Sequence, residues 1–380
     1  MDNIQSQIDS AASQGGGDVI LPPVRFKPSQ IVVRAGVNLI GQGRVIYDWP
    51  NSRISGGTIF EIDWGSGPGS SGDPTKAAVL TNTASGIRNV AFDYPAQLPG
   101  LAAPIEYGSS IQLFDSGAPL IGVSITDIYG FKPYILVDAR GSVSKAFVKD
   151  LVIDRIGGCP LHTGIAIDYV ADWQDLANIK FNSGDICQPQ LDTSPLVAWV
   201  RNNGKVLELG GNDWVQSTNV QAWGYNIGAH IIGGQGYAGS GPYTLENCQF
   251  DGTWIGVYLD GHINHSVKIE GCDFSAYGDA TKGGGFAISA APGLDMSAGG
   301  LQVLGYYAFG PTRFFVWLGQ GKAGNALIAG NYTSVNPATD SAVTFTSGGD
   351  VHVTGNIFKG FAGTTDLNGV GRPIIANNQH

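Results

Sequence analysis

Two short phrases recur along this chain, and no amphipathic helical pattern separates their repeats. The first is a β-branched strand closing in a small polar residue: SITDIYGF (124–131), LVIDRIGG (151–158), NIKFNSGD (178–185), TLENCQFDG (244–252), KIEGCDFSAYG (268–278), LIAGNYTS (327–334) and HVTGNIFKG (352–360). The second alternates strictly: YILVDA (134–139), GIAIDY (164–169), NIGAHI (226–231), WIGVYL (254–259) and GFAISA (285–290). Apolar residues two apart, bounded by Gly, Asn, Asp or Pro, mark half-buried strands. Strands returning every 24 to 33 residues predict a parallel β-solenoid, whose coils bury their apolar faces only by stacking on one another. A β-propeller blade needs about four strands in 40 or more residues. A doubly wound sheet needs helices between its strands. Neither fits.

Aligned on their inward residues, the alternating phrases place Ile135, Ile165, Ile227, Ile255 and Phe286 in one column, and Val137, Ile167, Ala229, Val257 and Ile288 in the next. The outward position that follows reads Asp138, Asp168, His230, Tyr258, Ser289. The double step between Asp168 and His230 leaves room for a further coil. LVAWVRN (196–202) is assigned to it, bringing Trp199 or Arg201 into the column. A one-residue slip decides which of the two faces outward.

The ends and the composition complete the class. IQSQIDSAAS (4–13) carries apolar residues at helical spacing and GGGDVILPP then breaks it, so residues 1–14 are expected to form a capping helix over the open edge and 15–380 the solenoid. Fifty-seven glycines and only 14% charged residues would suggest low complexity, but 43% hydrophobic residues and eight tryptophans supply a large core. A net charge of −10 argues against nucleic acid and anionic membrane as partners. No stretch reaches the roughly 18 apolar residues of a membrane span. Residues 1–14 lack the basic start and apolar centre of a signal peptide. Cys159, Cys187, Cys248 and Cys272 form no C-x-x-C pair. Cys248 and Cys272 recur in matching contexts and are expected to stack as unbonded small hydrophobes. His262 and His265 (GHINH) have no acidic cluster beside them, so no metal and no cofactor is expected.

The opening IQSQIDSAASQGGGDVILPPVRFKP, the phrase GVNLIGQG (36–43), and the later GNY (330–332) and GNIF (355–358) resemble the pectate-lyase-like superfamily. The resemblance covers nearly the whole chain. It implies an all-β, right-handed parallel β-helix with an N-terminal capping helix, acting on or binding a polysaccharide. The N-T-D, D-D and G-H-G phrases of polygalacturonases are absent, as is the R-x-P-x-x-R phrase of calcium-type pectate lyases. The chain is most similar to phage tailspike depolymerases, which implies a homotrimer on a virion tail or otherwise outside the cell. Assembly of that kind would cover outward apolar residues in VWLG (316–319) and FTS (345–347).

Glycoside hydrolysis uses two carboxylates, about 5 Å apart for retention and roughly 6.5–9.5 Å for inversion. Strands lie about 4.8 Å apart, so Asp138 and Asp168 on adjacent coils make a candidate acid and base. The loop DYVADWQDL (168–176) adds Asp172 and Asp175 around Trp173, a grouping similar in type and spacing to that of tailspike endorhamnosidases. Solvated strand ends and a turn-capping Asp175 explain the same residues without chemistry. Trp199 or Arg201, His230, Trp254 and Tyr258 are candidate saccharide contacts, aromatic faces for C–H stacking and a guanidinium for an acidic sugar. Ordinary exposed aromatics are the alternative. Glu246 and Glu270, with Lys268, read as a solvated, charge-paired face. Three functions follow: a glycosidase-type depolymerase of a bacterial surface polysaccharide, a lyase using His230 beside Arg201 and Tyr258 on a uronate polymer, or a non-catalytic carbohydrate-binding solenoid.

Overall fold

Each copy of the first recurrent phrase bends at a residue in the left-handed region. The computed structural model of the chain describes residues 3–48, 51–113, 119–140, 148–187, 193–233, 241–276, 284–319, 321–322, 324–336, 340–346, 348–368 and 370–379, without the side chains of Asn3 and Trp173. The chain divides into two compact units, Met1–Val206 and Leu207–His380. In the first unit the bend falls at Asn89, Asp127, Arg155 and Asn178, with φ of 53–56°. In the second it falls at Asn219, Asn247, Gly271, Gly305, Gly330, Gly355 and Asn377, with φ of 52–66°. Glycine and asparagine reach this conformation at little cost, whereas other residues lose roughly 1–2 kcal/mol. Arg155 is the exception in kind, and its guanidinium grips Asp127 of the coil below at 2.6 and 2.9 Å. Asp127, Asn178, Asn247 and the glycines of the later copies are therefore the bends of the first recurrent phrase, with Arg155 in that place in LVIDRIGG.

Strands before and after the bend form one parallel, bent sheet in each unit. In the first unit Ser124–Phe131 pairs with Val148–Cys159, which pairs with Val170–Asn182. A companion parallel sheet carries Ile31–Val32, Val79–Thr81, Ile111–Leu113, Ile135–Arg140 and Thr163–Asp168. The second unit repeats the plan, its companion sheet running from Ile227–Gly233 through Ile255–Gly261 and Gly285–Ala290 to Thr312–Leu318, Ser341–Phe345 and Gly363–Leu367. Only the hairpin Ile46–Asp48 with Arg53–Ser55 is antiparallel among the described strand pairs.

The helix Asn3–Ser13 buries Ile4 and Ile8. Its Gln5 amide then does what a neighbouring strand would do. It donates to the Val32 carbonyl at 3.0 Å and accepts from the Val32 N–H at 2.9 Å. The exposed strand edge is thereby satisfied by one side chain.

In the second unit the residue after the bend points inward and stacks on its equivalent one coil away. Cys272 Sγ accepts the Cys248 N–H at 3.3 Å, and both cysteines are buried and unbonded. Farther along, Asn331, Asn356 and Asn378 form a ladder, Asn331 Nδ2 donating to Asn356 Oδ1 at 2.8 Å and Asn356 Nδ2 to Asn378 Oδ1 at 2.9 Å.

Two expectations about the first unit fail. Asp138 lies opposite Ala166, and Asp168 opposite Arg140, so Ile135 meets Thr163 and not Ile165. An alternating pattern reads the same after a shift of two, so it fixes the face but not the rung. In the second unit Ile227, Ile255 and Phe286, and likewise His230, Tyr258 and Ser289, stack as expected. The second failure is at 196–202, which is not a strand. Ser194 caps a helix, Pro195–Asn203, by accepting the Val197 N–H, with proline in the first turn and the Gly204 N–H closing on Val200. Serine then proline is a helix-opening signal. The strand of that coil is Lys205–Leu209. Trp199 and Arg201 are accordingly helical and belong to no outward strand column.

Candidate active site

Asp138 is 1% exposed and gripped at both oxygens by Arg140, at 2.9 and 2.8 Å, with Ser109 Oγ 3.4 Å away. A carboxylate held bidentately by its own strand's arginine is poorly placed to take or give a proton. Asp168 is half-buried and accepts the Tyr169 N–H at 2.9 Å. Asp172 is exposed, sits in the left-handed region and pairs with Lys149 at 2.6 Å. Asp175 lies apart from Asp138 and Asp168, on the bent sheet opposite Val152. The Trp173 side chain lies outside the described residues.

Among the expected saccharide contacts, the Trp199 ring is 6.1 Å from His162, which stacks on Tyr134 at 4.8 Å. Arg201 is half-buried in the last turn of the same helix. In the second unit His230 is 8% exposed, its ring 5.2 Å from Tyr258 and its Nε2 3.4 Å from Asp260. Trp254 stands edge-on to Phe286, which stacks on Phe314 at 5.4 Å. Lys268 pairs with Glu270, opposite which Glu246 lies. No group of three or more His, Cys, Asp or Glu among the described residues could hold a metal ion. No described helix is long and apolar enough to cross a membrane.

The outward face of the bent sheet, before the bend, brings together what the sequence scatters. One row runs Asp18, Asn38, Gly86, Ser124, Val152, Asp175 across six coils. The row beside it runs Ile20, Ile40, Arg88, Thr126, Asp154, Ala177. The first four coils of these rows line a groove of about 210 Å³. Asp154 and Asp175 stand at its end. Burial and the nearby Asp154 carboxylate raise the Asp175 carboxyl above the ordinary aspartate value. Asp154 accepts from Asn178 Nδ2 at 2.8 Å and is paired with Arg155. Adjacent coils and a two-residue offset separate the two Cα positions by about 8 Å, from a strand spacing of about 4.8 Å and a rise of about 3.3 Å per residue. Of the four expected carboxylates only Asp175 shares this face with a second acid placed to act with it. Asp154, Arg88, Asn38 and Asp18 join this face without any sequence expectation of their own. The alternation of LVIDRIGG, with Leu151 and Ile153 buried and Val152 and Asp154 partly exposed between and after them, is the signal for this face.

A second carboxyl on the first unit is perturbed more strongly. Burial pushes Asp185 up to about 6. Its Oδ2 takes the Tyr129 hydroxyl at 3.4 Å, its Oδ1 the Asn182 amide at 3.2 Å, and its carbonyl the Tyr47 hydroxyl at 2.8 Å. The fold keeps a proton on Asp185 that the unfolded chain has already lost. The stabilisation is complete below the ordinary aspartate value and disappears as pH rises through about 6. Asp185→Asn should therefore raise stability at pH about 7.5 by up to about 3 kcal/mol and leave it unchanged near pH 3.5, read by urea unfolding at both.

No family model matches the sequence, and no curated protein matches it. Solved structures do. The A-module of mannuronan C-5 epimerase AlgE6 from Azotobacter vinelandii matches with a TM-score of 0.59 at 15% identity, over 99% of this chain and 93% of that one. A mutant tailspike protein of E. coli bacteriophage HK620, in complex with a pentasaccharide, matches at 0.52 and 14% identity, over 99% of this chain and 60% of the tailspike chain. A double mutant of the same tailspike with pentasaccharide matches at 0.53 and 12%, over 98% and 74%. At these identities the likeness is one of fold, and it agrees with the parallel coils and left-handed bends of both units. The chain has a right-handed parallel β-helix fold.

Proposed function

We propose that the chain is a glycosidase-type depolymerase of an extracellular polysaccharide, with Asp175 as general acid and Asp154 as general base. One observation carries this reading: a carboxyl raised by burial and by a second carboxylate, at the end of a polar groove. Pairs of acids pushed apart in pKa are how one fold holds a proton donor beside a proton acceptor. Asp138, gripped by Arg140, keeps a structural role in this reading, Asp168 lies apart on the companion sheet, and Asp172 is held by Lys149.

The polymer lies across Asn38, Arg88, Ser124 and Thr126, whose hydroxyl, amide and guanidinium groups bond its hydroxyls. Asp175 gives its proton to the glycosidic oxygen as that C–O bond breaks. Asp154, oriented by Asn178 and Arg155, takes a proton from the water that attacks the anomeric carbon from the opposite face. Side chains rooted on Cα positions about 8 Å apart can hold their carboxyls at the roughly 6.5–9.5 Å that admits this water, and inversion is the outcome proposed. The HK620 tailspike was solved with a pentasaccharide, which accords with a saccharide ligand here. A homotrimer carried on a phage tail belongs to the same proposal.

The test is product chemistry on bacterial surface polysaccharides. Hydrolysis should release new reducing ends, without ultraviolet-absorbing unsaturated uronides, and proton NMR of early product should show the inverted anomer. Unsaturated product would establish a lyase. Retained anomeric configuration would remove the Asp154–Asp175 geometry as the explanation.

A further inference from the structure

The second unit exposes an aromatic ladder on the outward face of its bent sheet, after the bend. Tyr307 and Tyr332 are 37% and 36% exposed although both are large and partly apolar. They sit directly opposite one another on adjacent coils, ring centroids 5.4 Å apart. Phe309 stacks on Tyr307 at 5.3 Å, and Lys359 Nζ lies 5.5 Å over the Tyr332 ring. The same row continues to Asp273 and then Gln249. Burial raises the Asp273 carboxyl, against a hydrogen bond from Gln249.

We infer that Tyr307 and Tyr332, with Asp273 and Lys359, form a saccharide-binding platform for a neutral pyranose chain, separate from the carboxylates of the first unit. A pyranose has an apolar C–H face and a hydroxyl edge. The platform offers both complements: ring faces for the first, and tyrosine hydroxyls, a carboxylate and an ammonium for the second. Successive coils rise by about 4.8 Å, close to the length each sugar adds to a chain, so a strand of sugars along the row meets one ring per residue. A second copy of the chain is the less suitable occupant. It would have to desolvate Asp251, Asp273 and Lys359, which share these two rows with the rings, and unpaired burial of such charges is costly. The mix of one cation and two acids also disfavours a polyanionic sugar.

This binding goes beyond the proposed hydrolysis and stands if that chemistry is wrong. The intact chain is applied to an array of neutral bacterial oligosaccharides, and the best ligand is titrated. Tyr307→Ala/Tyr332→Ala should weaken binding at least about tenfold, from the loss of two stacking faces. Tyr307→Phe/Tyr332→Phe should restore most of it. On the unaltered protein the same oligosaccharide should slow nitration of Tyr307 and Tyr332 by tetranitromethane relative to other exposed tyrosines, which keeps the test valid if the alanine variant fails to fold. An array without a neutral ligand would overturn the proposal. So would a ligand that leaves nitration of the two tyrosines unchanged, or a dissociation of oligomers in the alanine variant without loss of sugar binding.

Discussion

Asp175→Asn should lower turnover by at least about 100-fold, the usual scale for losing a general acid, with no loss of thermal stability. The amide has nearly the same volume and keeps a carbonyl oxygen, so groove shape and substrate affinity should change little and the loss should fall on kcat. Stability should hold or rise slightly. The fold raises the Asp175 carboxyl, so its ionisation at neutral pH opposes folding, and the amide removes that opposition. In the wild type the donor must be protonated, so kcat/KM should fall as pH rises through the elevated value. Asp138→Asn gives the contrast. It should leave Arg140 without its bidentate partner at a nearly buried position and cost on the order of 3 kcal/mol. Catalysis at low temperature should persist. If Asp138→Asn abolishes turnover in folded protein while Asp175→Asn remains active, the reacting centre is on the companion sheet.

That contrast turns on how much of the site can be read in sequence. Alternation shows which face a residue takes, and it placed Asp138 and Asp168 on the outward side. It is silent about shifts of two, and the length of the turn between sheets, which no local pattern reports, sets the rung. The second unit aligns because its coil steps, 28 residues from Ile227 to Ile255 and 31 from Ile255 to Phe286, coincide with the steps between the recurrent phrases. The groove was illegible for another reason. Asp18, Asn38, Arg88, Thr126, Asp154 and Asp175 come one from each of six coils, 20 to 50 residues apart, so no short motif contains two of them. The helix Pro195–Asn203 carries its own signal. Its Ser-Pro opening is a cap, while LVAWV also reads as a strand because Leu196, Val197 and Val200 bury one helical stripe. The left-handed bends were visible as recurrent Asn and Gly, though their meaning needed φ.

The same recurrence predicts where the second unit is most vulnerable. Asn356→Ala should cost about 3 kcal/mol and lower its unfolding temperature by roughly 5–10 °C. Asn356 is buried and works in both directions along the ladder. Its Oδ1 accepts the Asn331 N–H at 3.0 Å and Asn331 Nδ2 at 2.8 Å; its Nδ2 donates to the Ile328 carbonyl at 2.9 Å and to Asn378 Oδ1. Alanine leaves the Asn331 N–H without that acceptor in a coil interior too tight for ready hydration, and an unmet buried backbone donor costs about 1–3 kcal/mol by itself. Asn378→Ala should cost less. It is the last rung and half-buried, so water can reach the groups it leaves. Gly355→Ala separates the bend from the ladder. Its added Cβ meets nothing within 4 Å, but φ is 65°, so the expected loss is the left-handed penalty alone, about 1–2 kcal/mol. Urea midpoints measured on all three should fall in the order Asn356→Ala, then Gly355→Ala, with Asn378→Ala no worse than the second. Equal losses for Asn356→Ala and Asn378→Ala would mean that burial of the ladder contributes nothing beyond its end rung.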